Sequence, residues 1–89
     1  MHKFEVSENL QEILKKLSKK NKVLYERLLG KMDEIINCYD VKHYKNLKYN
    51  MKDSKRAHID PFVLVFKFDK QKDTIYFEDF DHHDKIYKR

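Results

Sequence analysis

Apolar positions follow two different rhythms along this chain. Leu10, Ile13, Leu14 and Leu17 recur at i, i+3, i+4 and i+7, which predicts an amphipathic helix. Ser7 suits its N-cap, and Glu8 suits its positive end. Ser18-Lys19-Lys20-Asn21 reads as a tight break, with Asn21 capping a second helix from Lys22 to Tyr39. The apolar face of that helix is Leu24, Leu28, Met32, Ile35 and Tyr39, widened by Leu29 and Ile36. Gly30 lies inside it at a cost of about 1 kcal/mol relative to Ala, which close approach of the first helix would explain. Two helices joined so closely pack antiparallel, as an αα-hairpin.

Beyond residue 54 the rhythm shortens. Phe62 to Phe68 is an almost unbroken apolar and β-branched run, as expected of a central strand covered on both faces. Asp69 to Asp73 is a polar turn, and Thr74 to Phe80 is a second, aromatic-rich strand. Shorter strands are expected at Lys3 to Val6 and Lys55 to Asp60. The order β-α-α-β-β-β predicts an α+β fold, with the N-terminal αα-hairpin packed on one face of a small twisted antiparallel sheet. Residues 40–54 form a long basic loop with Leu47, Tyr49 and Met51 as anchors, and loops of that length are often functional. Residues 1–89 are expected to form a single domain, long enough to fold alone.

Composition narrows the class. With 40% hydrophobic and 39% charged residues, the chain reads as a charged shell around a packed core, not as a disordered segment. No apolar run is long enough to span a membrane, and MHKFEVSENL contains no apolar signal region. A cytoplasmic protein with no membrane partner is therefore expected. Cys38 is alone, which excludes a disulfide framework; at the end of a helix it is expected to be a small buried hydrophobe. The net charge of +5 is unevenly placed. Residues 1–56 hold 14 Lys and Arg against 8 Asp and Glu, whereas residues 57–89 hold 6 against 7. Such an excess attracts nucleic acid without reading its sequence, although a solvated lysine surface has the same composition.

Candidate chemistry concentrates in three places. Lys42, Lys45, Lys48, Lys52, Lys55 and Arg56 crowd the loop beside His43, Tyr44 and Tyr49, a set suited to phosphates and base stacking. Lys15, Lys16, Lys19, Lys20 and Lys22 form a second cluster on the helices, read either as a solvated face or as a contact for structured RNA. Histidines flank the final hairpin: His58 before it, His82 and His83 after it. Antiparallel pairing returns both ends of a hairpin to one edge of the sheet, where two imidazoles can meet. Arg56 alternates with His58 along a strand, so both share a face, and a neighbouring cation favours a neutral imidazole base. Asp81 and Asp84 near His83 favour the imidazolium acid. Together these are the parts for general acid–base chemistry near neutral pH. Asp79, Asp81, His82, His83 and Asp84 match no strong metal-ligand spacing, and neither a metal nor another cofactor is expected. His2 is expected to be an exposed terminal residue.

At these residues the chain resembles the RelE/ParE superfamily of toxin–antitoxin toxins, and the RelE/YafQ branch most closely. The resemblance rests on the αα-hairpin, Asn46-Leu47-Lys48, the strand HIDP…VLVFK and the ending FDHHDKIY. It implies two helices on a small twisted sheet, and a toxin that enters the ribosomal decoding site and cuts mRNA without a metal. It also implies a RelB-like antitoxin that wraps the toxin in a heterodimer or heterotetramer. By resemblance, His58 is the base-type residue and His83 the acid-type residue, with Arg56 and Lys48 offsetting charge. Lys45, Lys52, Lys55 and Tyr87 would contact RNA. Many relatives carry an arginine or aspartate at the start of the central strand, where this chain has Phe62 directly after Pro61. The alternative is a catalytically weak member that acts by binding, either as a ParE-like inhibitor of gyrase or as a DNA-binding repressor with its antitoxin.

Overall fold

The structure, a computed structural model, describes residues 1–41, 44 and 54–87. Its elements are β1 (Lys3–Val6), α1 (Glu8–Lys20), α2 (Lys22–Ile36), β2 (Lys55–Ile59), β3 (Phe62–Asp69), β4 (Thr74–His82) and α3 (His83–Tyr87). The first six follow the predicted order, and α3 is an addition. One sheet runs β1-β4-β3-β2. Tight turns force β2, β3 and β4 to be antiparallel, from Lys55↔Phe66 to Ile59↔Phe62 and from Phe62↔His82 to Asp69↔Thr74. β1 instead lies parallel to β4, from Lys3↔Thr74 to Val6↔Phe77, so the sheet is mixed. No hairpin joins those two strands, so their relative direction is free to differ.

The caps explain where the helices begin and end. Ser7 Oγ accepts from the Leu10 amide at 3.1 Å and donates to the Glu78 carbonyl at 2.6 Å, fixing the start of α1 to β4. Asn21 serves both helices: its amide donates to Leu17, and its side chain accepts from Leu24 at 3.2 Å. The expected break therefore shrinks to one residue, because Ser18 to Lys20 remain helical. α2 stops at Ile36, three residues before its predicted end, where Asn37 turns back onto the Asp33 carbonyl through its amide and its side chain. Two expectations fail in consequence. Tyr39 is fully exposed and lies off the apolar face, and Cys38 is half-buried beyond the helix, its Sγ donating to the Asp40 carbonyl.

The main core lies between the helices and one face of the sheet. Leu10, Leu28, Ile35, Leu64, Phe66, Ile75 and Phe77 are almost completely buried there. A bulge at Val65/Phe66 lets Phe77 and Phe80 both face the helices although they are three residues apart. β3 is buried on both faces, as its composition predicts: Val63 and Val65 point away from the helices into a second, smaller cluster with Ile86.

Two loop residues depart from expectation. His2 is largely buried: its Nε2 lies 2.6 Å from the Cys38 carbonyl and its Nδ1 2.5 Å from Asp73 Oδ1. It thereby ties the N-terminus to the end of α2 and to the β3–β4 turn. Tyr44 is an anchor, not a free stacking ring. It packs edge-on against Phe66 at 5.5 Å and donates to Glu34 Oε2 at 3.4 Å. Burial, then the Glu34 carboxylate and Cys38, push its phenol up to about 12.

Gly30 is exposed, and a Cβ there would meet nothing within 4 Å, so close helix packing does not require it. Gly30→Ala is expected to stabilise the protein by about 0.5–1 kcal/mol, measured by urea denaturation. The raised phenol of Tyr44 predicts a late step in an ultraviolet titration of the six tyrosines. A group held neutral above its unfolded value stabilises the fold below about pH 10, and that contribution fades as pH rises toward 12. Tyr44→Phe should remove the late step and leave the earlier ones in place.

Candidate functional site

Alternation along β2 sorts its side chains. Ala57 and Ile59 enter the core, whereas Arg56 and His58 point to the sheet face away from the helices, opposite Val65 and Val63. His83 reaches the same face from the other end of the hairpin. Its backbone amide donates to the Pro61 carbonyl at 2.9 Å, fastening the start of α3 to the two-residue turn between β2 and β3. The Asp60–Pro61 bond in that turn is cis. A five-residue helix cannot sustain itself in water. Here Ile86, only 2% exposed, covers Val63 and Val65, with Tyr87 packed beside them.

This brings four of the expected side chains together. The rings of His58 and His83 lie 6.3 Å apart at a tilt of 31°. The Tyr87 ring stands 4.5 Å from that of His83. The Tyr87 hydroxyl accepts a hydrogen bond from Arg56 Nη1, and the guanidinium carbon lies 5.5 Å from the Tyr87 ring centre. Both imidazoles are exposed, and Arg56 and Tyr87 are half-buried. Tyr87 is thus the link between Arg56 and His83. That link depends on α3, which is too short to leave a periodic signal in the sequence.

The adjacent histidine is turned the other way. His82 meets Phe62 edge-on at 5.9 Å, and its Nδ1 accepts the Asp84 amide at 3.2 Å. The Asp84 carboxylate lies 3.5 Å from His83 Nδ1. Asp81, paired with Val63 in the sheet, accepts from the His82 amide at 2.7 Å. Asp79 is bound to Asn9 and to the Phe80 amide. These acids and histidines do not converge on one point, and among the described residues no group of three or more His, Cys, Asp or Glu does.

The basic residues are more divided. Lys55 points to the opposite side of β2 from Arg56, where its ammonium donates to the Tyr44 carbonyl at 3.3 Å, so it does not join the histidine face. Lys45, Lys48 and Lys52 lie outside the described residues, as do His43 and Tyr49.

No family model matches the chain. Among curated proteins, the "Putative toxin RelE4" of Methanocaldococcus jannaschii is 48% identical over 90 residues, covering 100% of this chain and 94% of that protein. The isolated RelE toxin of E. coli superposes with a TM-score of 0.68 at 15% identity, over 92% of this chain and 84% of that one. The RelBE2 toxin–antitoxin complex of Mycobacterium tuberculosis provides another similar chain, with a TM-score of 0.62 at 16% identity over 92% and 98%. The two solved structures share the fold. The full-length relative shares nearly half of all positions, and with it this chain belongs to the RelE family of toxins.

Proposed function

We propose that this protein is the toxin of a toxin–antitoxin pair and acts as a ribosome-dependent endoribonuclease on mRNA. The observation that carries the reading is the meeting of His58 and His83 on one exposed face, with Arg56 and Tyr87 beside them. His58 takes the proton from a ribose 2′-OH. The 2′-oxygen attacks the adjacent phosphorus, and the bond from phosphorus to the 5′-oxygen breaks. His83 delivers its proton to that leaving oxygen. The products are a 2′,3′-cyclic phosphate and a free 5′-hydroxyl, and the two histidines have exchanged protonation states. Arg56, together with Lys48 from the basic loop, offsets the negative charge that grows on the phosphate. Tyr87 holds Arg56 toward the reacting group and presents a ring to a neighbouring base. Lys45 and Lys52 would steer the strand.

The openness of the face supports dependence on the ribosome. Two exposed imidazoles have few walls around them, so a larger partner must hold the RNA in a reactive geometry. A RelB-like antitoxin is the expected neutralising partner, consistent with the toxin–antitoxin complex that shares this fold.

Purified protein incubated with translating ribosomes should cut mRNA within codons, leaving 5′-hydroxyl ends that primer extension can map. General acid–base assistance contributes about 10²–10⁴-fold per group, or about 3–5 kcal/mol of barrier. His58→Ala and His83→Ala should each lose activity on that scale with an unchanged melting curve. Undiminished growth arrest by both variants would overturn the assignment. Tyr87→Phe removes only the hydroxyl that accepts from Arg56, so a milder fall of about 2–10-fold in single-turnover cleavage is expected.

A further inference from the structure

β1 forms one edge of the sheet, and β2, which carries His58, forms the other. Its bonds to β4 fix which way each backbone group of β1 points. The Lys3 amide donates to the Asp73 carbonyl at 3.0 Å, and the Ser7 amide donates to the Phe77 carbonyl at 2.9 Å. A strand in a parallel ladder turns alternate residues toward its neighbour, so the backbone groups of Lys3 and Glu5 face β4. Those of Phe4 face outward, where the sheet ends. Both ends of this outer edge are already engaged. His2 donates its amide to the Ile36 carbonyl at 2.9 Å, and the Val6 carbonyl accepts from Gln11 Nε2 at 2.9 Å. The open stretch is therefore Lys3-Phe4-Glu5, and all three residues are exposed.

Edge strands are commonly blunted by a charged side chain, lysine above all, which a foreign strand cannot neutralise. Here the charge comes with its own counterpart. The Phe4 ring is 49% exposed and meets Phe77 edge-on at 6.2 Å, which puts it on the helix side of the sheet. Alternation turns Lys3 and Glu5 to the other side. Among the described residues no ion pair takes up either of them. The order cation, aromatic, anion is its own complement when a second copy is laid antiparallel about Phe4. Lys3 then stands opposite the second copy's Glu5, Glu5 opposite its Lys3, and the two Phe4 rings face each other. Opposite charges and paired aromatics across strands favour such a contact, and like charges oppose it. In this register the two Phe4 residues exchange both N–H···O bonds.

We infer that the protein self-associates through β1, two copies joining their sheets edge to edge about a two-fold axis at Phe4. An isologous contact of this kind closes on itself and builds a dimer, not a fibre. Three residues per copy make a small interface, so association depends on concentration. The joined sheet has β2 at each outer end, seven strand spacings of about 4.8 Å apart. Both histidine pairs therefore stay clear of the contact. The inference stands apart from the nuclease reading, because it needs neither RNA nor the imidazoles.

Sedimentation velocity on the full chain tests it from about 10 µM to about 1 mM, the range in which a small interface associates. The wild-type protein should shift toward the mass of two copies as its concentration rises. Lys3→Glu and Glu5→Lys each set like charges opposite one another, so each variant alone should associate about tenfold more weakly. An equimolar mixture of these two variants restores opposite charges at both positions and should associate as the wild type does. So should the double variant Lys3→Glu/Glu5→Lys. All these side chains are exposed, so melting curves of the variants should match the wild type. A wild-type protein that stays monomeric throughout would leave this edge to a different chain and overturn the inference. Single variants that associate undiminished, or a mixture and double variant that fail to recover, would also overturn it.

Discussion

Burial of Ile86 over Val63 and Val65 is the contact on which the site depends. β3 is apolar on both faces, and the two long helices cover only one of them. The other face must be closed by something, and the chain closes it with five residues. Burying aliphatic side chains of this kind contributes about 1.5–3 kcal/mol each, enough to hold a helix that has no stability of its own. The same contact sets the positions of His83 and Tyr87, three residues before and one residue after Ile86. A hydrophobic requirement of the central strand thus becomes the means of placing an imidazole beside His58.

The rest of the frame keeps that edge of the sheet in register. The hairpin from Phe62 to His82 brings the end of β4 back to the start of β3, and the Pro61 carbonyl receives the His83 amide where the two meet. At the opposite end, His2 joins the N-terminus, the exit of α2 and the β3–β4 turn through both ring nitrogens. A chain of 89 residues has a small core. Polar ties at the margins therefore carry an appreciable share of the order.

The sequence disclosed what repeats and concealed what happens once. Helical spacing from Leu10 to Leu17 and the apolar run from Phe62 to Phe68 are repeated signals, and both elements formed where they were expected. The end of α2 was missed because Asn37, a single residue, turns back on Asp33 before the periodic face reaches Tyr39. Strand alternation correctly paired Arg56 with His58 on one face, and the same rule removes Lys55 from it. The choice of His83 over His82 came from the family resemblance and not from periodicity. It depends on where strand gives way to helix, and a five-residue helix leaves no period to detect. His2 looked like an ordinary terminal residue because its partners, at positions 38 and 73, are far away in sequence.

Exposure of the two imidazoles has a mechanistic consequence. Fixed dipoles stabilise a developing charge best where water is excluded, and a small sheet with one open face cannot exclude it alone. The cavity between the hairpin tip and Phe62 lies behind the sheet and cannot shelter the reacting groups. On the proposed reading, the missing walls would come from the macromolecule that presents the strand. Under that arrangement the protein would contribute two proton-transfer groups and a cation, while its target would contribute enclosure and substrate geometry. On the proposed reading, the openness of this face would be the physical basis for acting on RNA held in a larger assembly.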